Sequence, residues 1–353
     1  MTRAHYRLAV LFPAVVLAVS IGGVEIRGQQ SSQVGGGSLS NDIMGSSLVF
    51  RRPENPPLHT GAGAGPNSAG GGRVSTGKTA KARAAAAAHE GVIAKANAAR
   101  SAPKPRYSEA EQQYKLAATQ DPRDARAQAG LGNIYLDQAR YSDAVEAYRA
   151  ALKIEPNYVS AYQPLAYALV RLNRFPEATE TLKQALPYDP NNAEIYNNLG
   201  FAYVHAGNYA EAITACRRAI TLLDQTGQAY RQELQNRNEV LSNAYKNLGN
   251  AYNGLNQFNE AAEALRHATE IEPKNAAAHF NLGLALYNGK RYSEAIEAYK
   301  AVIKLKPELA GAHFNLGIAY VAINDKEGAR QEYEILKPLN AGMAAQLQSF
   351  IKR

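Results

Sequence analysis

Residues 72–79, GRVSTGKT, fit the G-x-x-x-x-G-K-[ST] pattern with which a glycine-rich loop holds the phosphates of a nucleotide. This chemistry requires an apolar strand before the loop and a helix after it, whose N-terminus faces the phosphates. The residues before this loop are Gly-rich and contain no apolar strand, and no later strand offers a Mg²⁺ ligand. We therefore interpret the match as a chance feature of the sequence and predict no cofactor.

Two histidines and one cysteine are the other candidates for reactive chemistry. His279 and His313 stand 34 residues apart, so their imidazoles could approach each other in a repeated structure, but a metal site needs a third or fourth ligand. No carboxylate or thiol shares their spacing, and we expect the only cysteine, Cys216, to be a buried thiol. The chain lacks the G-x-S-x-G and H-E-x-x-H patterns. We predict no metal site and no enzymatic activity.

Asparagine precedes a Leu-Gly pair at four positions, which are Asn198, Asn247, Asn281 and Asn315. An Asn side chain carries one acceptor and two donors, so a row of them can pair with the N–H and C=O groups of an extended peptide. Such a row would read the peptide backbone and not its sequence. In the alternative interpretation these side chains only tie neighbouring helices together, and the sequence leaves both interpretations open.

The elements that position these residues are repeated. Leu-Gly or Leu-Ala pairs recur at 131–132, 165–166 and 199–200, and again at 248–249, 282–283 and 316–317. Within each set the spacing is 34 residues, and apolar residues at helical spacing predict two amphipathic helices in each unit. The small residues allow the two helices to approach closely. Because neither helix buries its apolar stripe alone, the units must stack.

These repeats resemble the tetratricopeptide repeat over roughly residues 107–339. The resemblance implies an all-α, right-handed superhelical solenoid of helix-turn-helix repeats. Six repeats are expected at 125–158, 159–192, 193–226, 242–275, 276–309 and 310–341, with an insertion at 227–241. Residues 84–124 are expected to form a partial or distorted first repeat, and residues 342–353 a C-terminal capping helix. Pro164 is expected to kink the first helix of the second repeat.

The resemblance also implies that proteins or peptides bind in a groove lined by the first helices. The asparagine row is similar to the one in the repeats of O-linked N-acetylglucosamine transferases, but we predict no catalytic domain in this chain. Phe280, Phe314 and Tyr287 lie near the row, and we predict that they influence the choice among peptides.

Members of the family that bind chaperones use a clamp of Lys, Asn, Asn, Lys and Arg on the C-terminal carboxylate of the partner. Lys246, Asn250 and Asn281 match its first three positions. Gly311 and Asn315 occupy the last two positions, where the clamp has basic residues. The sequence therefore argues against a chaperone clamp.

The N-terminal part differs from the repeats in charge and composition. The first 106 residues carry 13 Lys+Arg against 4 Asp+Glu, which leaves 26 against 27 in the remainder, so nucleic acid is not an expected partner of the nearly neutral repeats. Arg3 and Arg7 precede an apolar run at 8–23, an order typical of an export signal. We expect residues 1–25 to be a signal peptide or, alternatively, a membrane anchor, and residues 26–83 to be a disordered Gly/Ser/Pro-rich linker.

Together these features predict a non-catalytic scaffold that binds proteins or extended peptides in an exported, periplasmic or envelope-associated assembly. Two alternatives stay open. One is a regulatory subunit of an enzyme complex, and the other is a self-associating structural module.

Overall fold

The computed structural model describes residues 52–58, 76–225 and 234–352. Over these residues it contains 15 α-helices, one short 3₁₀ helix and no strand. The helices are α1 (Thr76–Ser101), α2 (Tyr107–Gln120), α3 (Ala125–Asp137), α4 (Tyr141–Ile154), α5 (Tyr162–Arg171), α6 (Phe175–Ala185), α7 (Ala193–Ala206), α8 (Tyr209–Gln225), α9 (Leu234–Gly254), α10 (Phe258–Ile271), α11 (Ala276–Asn288), α12 (Tyr292–Leu305), α13 (Ala310–Ala322), α14 (Lys326–Leu339) and α15 (Ala341–Ile351). The predicted all-α fold of helix-turn-helix repeats is confirmed.

The chain divides into two compact units, and the division falls after Ile195 in α7. In the N-terminal unit, the hairpin of α1 and α2 is followed by the hairpins α3–α4 and α5–α6. In the C-terminal unit, the hairpins α9–α10, α11–α12 and α13–α14 follow α8, and α15 packs on both α13 and α14. Within each of these runs the successive helices contact each other, as expected where a single hairpin cannot bury its apolar stripe.

One residue in the left-handed conformation joins the two helices of each repeat. These residues recur at the repeat spacing and are Ala139, Asn173, Gly207, Asn256, Lys290 and Asn324, with φ between 57° and 80°. The amide that follows bonds back into the first helix, as Arg140 N–H does to the Tyr135 carbonyl. The chain therefore reverses direction within a few residues, and the two helices of a repeat pack antiparallel.

Glycine in the first helix of a repeat lies against a large side chain of the second. A Cβ added at Gly132 would lie 2.7 Å from the Tyr148 ring, and one added at Gly283 would lie 2.5 Å from the Tyr299 ring. Both rings are almost fully buried. Glycine is needed at these positions because a side chain would occupy the space of the ring.

The structure differs from the expectations at the N-terminal side of the repeats. Residues 52–58, expected within a disordered linker, contact α1 and α3, and α1 begins at Thr76 instead of near residue 84. The predicted signal peptide or anchor at 1–25 lies outside the described residues. No helix in the described part of the chain is long and apolar enough to cross a bilayer.

Pro164, expected to kink the first helix of the second repeat, lies in the first turn of α5. A 3₁₀ helix at Val159–Ala161 precedes α5, so Pro164 is the third residue of α5. The first turn of a helix has no internal partners for its N–H groups, and a proline there removes no hydrogen bond. In the C-terminal unit α9 begins at Leu234, so the second half of the predicted insertion lengthens a helix.

The contact between Gly283 and Tyr299 gives a prediction about stability. Ala is the better helix former by about 1 kcal/mol, but overpacking costs roughly 1–3 kcal/mol. Gly283→Ala is therefore expected to lower the free energy of unfolding, measured by urea titration and circular dichroism. Gly311→Ala is the control, because its Cβ would lie 3.9 Å from Phe280, and it should not destabilise. Equal stabilisation by both changes would contradict the tight contact.

Candidate functional site

Residues 52–58, Arg-Pro-Glu-Asn-Pro-Pro-Leu, lie along helix α3 and run antiparallel to it. The Arg52 side chain forms an ion pair with Asp137 at the end of α3. The Pro57 carbonyl accepts a hydrogen bond from Arg126 near the beginning of α3. These helix positions are 11 residues apart, or about 16 Å along the axis. Five residues of extended chain span about the same distance. The segment is therefore extended, with no internal hydrogen-bonded structure.

Four carbonyl groups of this segment accept hydrogen bonds from side chains of α1 and α3. The bonds run from Arg100 Nη1 to Pro53 O (2.8 Å), from Asn133 Nδ2 to Glu54 O (2.9 Å), from Asn97 Nδ2 to Pro56 O (3.0 Å) and from Arg126 Nη1 to Pro57 O (2.8 Å). We call Asn97, Arg100, Arg126, Asn133 and Asp137 the N-terminal site. Its side-chain donors thus bind backbone carbonyls of the segment.

Two side chains of the segment are also recognised. Asn55 donates to the Asn97 carbonyl (3.3 Å) and to Ser101 Oγ (2.7 Å). Its Oδ1 accepts from Arg100 Nη1 at 3.0 Å. Arg52 forms a two-pronged ion pair with Asp137, with distances of 3.0 and 2.6 Å. The segment is therefore held by specific side chains as well as by its backbone.

Buried tyrosines of the second helices fix the orientation of both site asparagines. Tyr148 OH donates to Asn133 Oδ1 at 2.6 Å, and Tyr114 OH donates to Asn97 Oδ1 at 2.5 Å. Burial raises the pKa of both hydroxyls above the usual range, so they remain donors. Because each amide oxygen is taken by a hydroxyl, each NH₂ group points to the segment.

Carboxylates position the two arginines of the site. Arg100 pairs with Asp137, and Arg126 pairs with Glu90 and Asp124, each at 2.6 to 2.8 Å. Burial alone would raise the pKa of Asp137, but hydrogen bonds from Arg52 and Arg100 outweigh burial and lower it. The donors of the site are therefore held in place, and the charges of Arg100 and Arg126 are balanced by neighbouring carboxylates.

The predicted asparagine row lies in the C-terminal unit, mostly buried. Asn198, Asn247 and Asn315 are at most 3% exposed. Asn247 Nδ2 donates to Asn197 Oδ1 at 3.1 Å, a contact between α9 and α7, while the Nδ2 of Asn315 has no hydrogen-bond partner among the described residues. Asn281 is half-buried and donates to Asn250 Oδ1 at 2.9 Å. Asn247 and Asn281 thus make contacts between helices, and the pair of Asn281 and Asn250 keeps some exposure.

The remaining predicted groove residues are mostly part of the core. Phe280 and Phe314 are 3% and 1% exposed, and the Phe280 ring meets the Tyr299 ring edge-on at 5.9 Å. Tyr287 is half-buried, and burial raises its pKa to about 12. Lys246 is fully buried, which lowers the pKa of its ammonium group to about 8 despite the opposing charges of Glu272 and Glu239.

The two histidines serve the contacts between repeats. His279 Nε2 and His313 Nε2 lie 3.0 and 2.8 Å from the carbonyls of Pro273 and Pro307, which close the preceding repeats. His313 Nδ1 also lies 2.6 Å from Glu332. Among the described residues no group of three or more His, Cys, Asp or Glu could hold a metal ion. Cys216 is buried, and burial raises the pKa of its thiol, as expected of an unreactive cysteine.

Sequence reasoning missed the N-terminal site, although one signal for it was present. Asn133 follows the pair at 131–132 as Asn250 follows the pair at 248–249, so the two share a repeat position. Asn97 and Arg100 carried no such signal, because the helix that holds them falls outside the 34-residue pattern. The segment itself was hidden by its proline-rich composition, which is typical of linkers.

Family comparisons cover most of the repeat region. Residues 114–230 match the TPR domain of cytochrome c-type biogenesis protein H. Tetratricopeptide-repeat families match residues 191–274, 246–310 and 291–344. A search of curated proteins finds no significant match.

Two solved structures share the fold, and a third is similar over a smaller part of this chain. A tetratricopeptide repeat protein from Parabacteroides merdae is 15% identical, with 76% of this chain and 100% of that chain covered and a TM-score of 0.53. The pilF protein of Pseudomonas aeruginosa is 22% identical, with 65% and 99% covered and a TM-score of 0.51. YrrB, described as a TPR protein with an unusual peptide-binding site, is 23% identical, with 58% and 100% covered and a TM-score of 0.45.

The buried Lys246 gives a prediction about pH. Its folded pKa of about 8 lies below the unfolded value of about 10.4, so the unfolded state binds more protons between these values and stability rises with pH. From pH 8 to 9.5 the free energy of unfolding should rise by roughly 1–2 kcal/mol more in the wild type than in Lys246→Met.

Denaturant titrations across this pH range measure the difference. Lys274→Met is the control, because Lys274 is exposed, and it should keep the slope of the wild type. Identical slopes for the wild type and Lys246→Met would contradict a depressed pKa at this position.

Proposed function

Because the chain belongs to the tetratricopeptide-repeat proteins, we propose that it is a non-catalytic scaffold that holds extended segments of other proteins on its repeats. One observation carries this proposal. The N-terminal site binds residues 52–58 through four backbone carbonyls, which every peptide possesses. A surface that holds one extended segment in this way is suited to hold another.

The energetics suit reversible binding. A hydrogen bond contributes about 0.5–1.5 kcal/mol net, so four carbonyl contacts contribute roughly 2–6 kcal/mol before the cost of ordering the peptide. The Asn55 and Arg52 contacts add selectivity for the sequence of the bound segment. The N-terminal site would therefore exchange partners instead of locking onto one.

The asparagine row of the C-terminal unit is a second proposed peptide site. Asn281, Asn250 and Tyr287 are partly exposed, and the buried amide of Asn315 lacks an acceptor, which a peptide carbonyl could supply after a local shift. The contact between Asn247 and Asn197 supports the competing, structural role. The two roles differ in what an Asn→Ala change alters, either peptide affinity or the melting temperature.

We place this scaffold in an exported or envelope-associated assembly. The order of charged, apolar and small residues in 1–25 supports export. The match of residues 114–230 to a TPR domain of a cytochrome c-type biogenesis protein also supports it. A regulatory subunit of an enzyme complex and a self-associating module are the competing functions.

Selection from a random peptide library tests peptide binding directly. The bait is the full chain with residues 52–58 replaced by alternating Gly and Ser, so that the N-terminal site is free. We expect selected peptides to lose at least tenfold in affinity when Asn97 and Asn133 are both changed to Ala. Asn157→Ala, an exposed position in the same unit, is the control and should change nothing. Failure to select any peptide would refute the proposed function.

The location is tested by fractionating cells that express the full chain. We expect the protein outside the cytoplasm, with Arg3 and Arg7 needed for its export, and mass spectrometry of the N-terminus distinguishes a cleaved signal from an anchor. A cytoplasmic protein with an intact N-terminus would contradict export and leave the peptide site untouched.

A further inference from the structure

We propose that residues 52–58 are a built-in ligand that occupies the N-terminal site and must be displaced by a partner peptide of the same chemistry. The inference rests on the proposed function. It adds the class of peptide that the N-terminal site binds and the way in which access to that site is regulated. The ligand class is an extended, proline-rich peptide with an arginine at one end and an asparagine near the centre.

The donors of the site explain the preference for proline. Asn97, Asn133, Arg100 and Arg126 offer N–H groups to carbonyls, whereas the Asn97 carbonyl and Ser101 accept from a side chain, that of Asn55. A bound peptide therefore needs carbonyl acceptors, and these contacts provide no acceptors for its backbone N–H groups. Proline lacks the N–H and keeps the carbonyl, so Pro53, Pro56 and Pro57 each present a carbonyl without an N–H group that would need its own acceptor. Their fixed φ also lowers the entropy lost on binding.

The central asparagine makes the site selective. Asn55 uses its oxygen and both directions of its NH₂ group against Arg100, Asn97 and Ser101, and no shorter or charged side chain offers this combination. Pro56 beside it is buried against the site. By contrast, the Glu54 side chain is exposed. Selection therefore acts on Arg52 and Asn55 and spares the side chain at residue 54.

The segment covers Arg100 and supplies two of its acceptors. Arg100 is 2% exposed, and its Nη1 donates to Pro53 O and Asn55 Oδ1, both in the segment. Removing the segment would break both bonds at once and expose Arg100 Nη1 to water. An occupant of matching chemistry restores them. The bonds of Arg100 therefore hold any occupant that presents a backbone carbonyl and a side-chain amide oxygen in these places.

The connection in the chain makes the internal ligand an effective competitor. Seventeen residues lie between Leu58 and the start of α1 at Thr76. Because the segment and the site belong to the same chain, the segment competes intramolecularly, with an effective concentration on the order of 1 mM. If the free peptide binds with a Kd of about 10 µM, a partner's apparent affinity falls about 100-fold. Only a tighter or locally concentrated partner would displace the segment.

A labelled peptide with the sequence of residues 50–60 tests this competition by fluorescence anisotropy. The proteins are full chains, namely the wild type, the double variant Arg52→Ala/Asn55→Ala, and the control Glu54→Ala. We expect the double variant to bind the peptide at least tenfold more tightly than the wild type, because its own segment competes poorly. Glu54→Ala should behave as the wild type. Adding Asn97→Ala and Asn133→Ala to the double variant should abolish binding, with helicity unchanged.

The outcomes separate the inference from the function on which it rests. Equal and measurable affinity of wild type and double variant would overturn the internal ligand and leave peptide binding intact. No binding to any protein, with library peptides still selected on the bait, would overturn the proposed ligand class. A wild-type dimer that the double variant loses would also overturn the inference, because the segment would then occupy the site of a second copy.

Discussion

The contact of Tyr148 with Gly132 and Asn133 connects the fold of this protein to its binding surface. The ring fills the space that a side chain at residue 132 would take, and this sets how closely α3 and α4 approach. The hydroxyl of the same residue then takes the oxygen of Asn133, so the amide donors face the bound segment. A residue that closes a repeat thus also orients its binding group. Tyr114 likewise orients Asn97, and its ring packs against Gly130 of the next hairpin.

Asn133 and Asn250 occupy the same repeat position but make different contacts in the two units. In the N-terminal unit Asn133 is held by a tyrosine and keeps its NH₂ group for a ligand. In the C-terminal unit Asn250 accepts from Asn281, a neighbouring asparagine. The partner of the amide oxygen therefore decides whether an asparagine faces a ligand or another helix. That partner comes from another helix of the stack, and the local sequence does not reveal it.

The sequence predicted the repeats because their physics is periodic. Small residues at 34-residue spacing, opposite large ones, follow directly from the close approach of two helices, and an all-α fold follows from them. The 3₁₀ helix before α5 was not predicted, because the position of Pro164 alone does not show where the α-helix begins. The role of residues 52–58 was missed for a different reason. Composition rules measure apolar burial, whereas this segment is held by hydrogen bonds to Arg100, Arg126 and two asparagines.

The central claim is that the hydroxyl of Tyr148 orients Asn133 toward the carbonyl of a bound peptide. Its most direct measurement is the affinity of the labelled 50–60 peptide for the Arg52→Ala/Asn55→Ala chain with and without Tyr148→Phe. This change keeps the ring against Gly132 and removes only the hydroxyl. The account predicts unchanged helicity and an affinity about five- to tenfold weaker, as for Asn133→Ala, while Tyr299→Phe, at the equivalent position against Gly283, has no effect. An affinity that Tyr148→Phe leaves unchanged would contradict it.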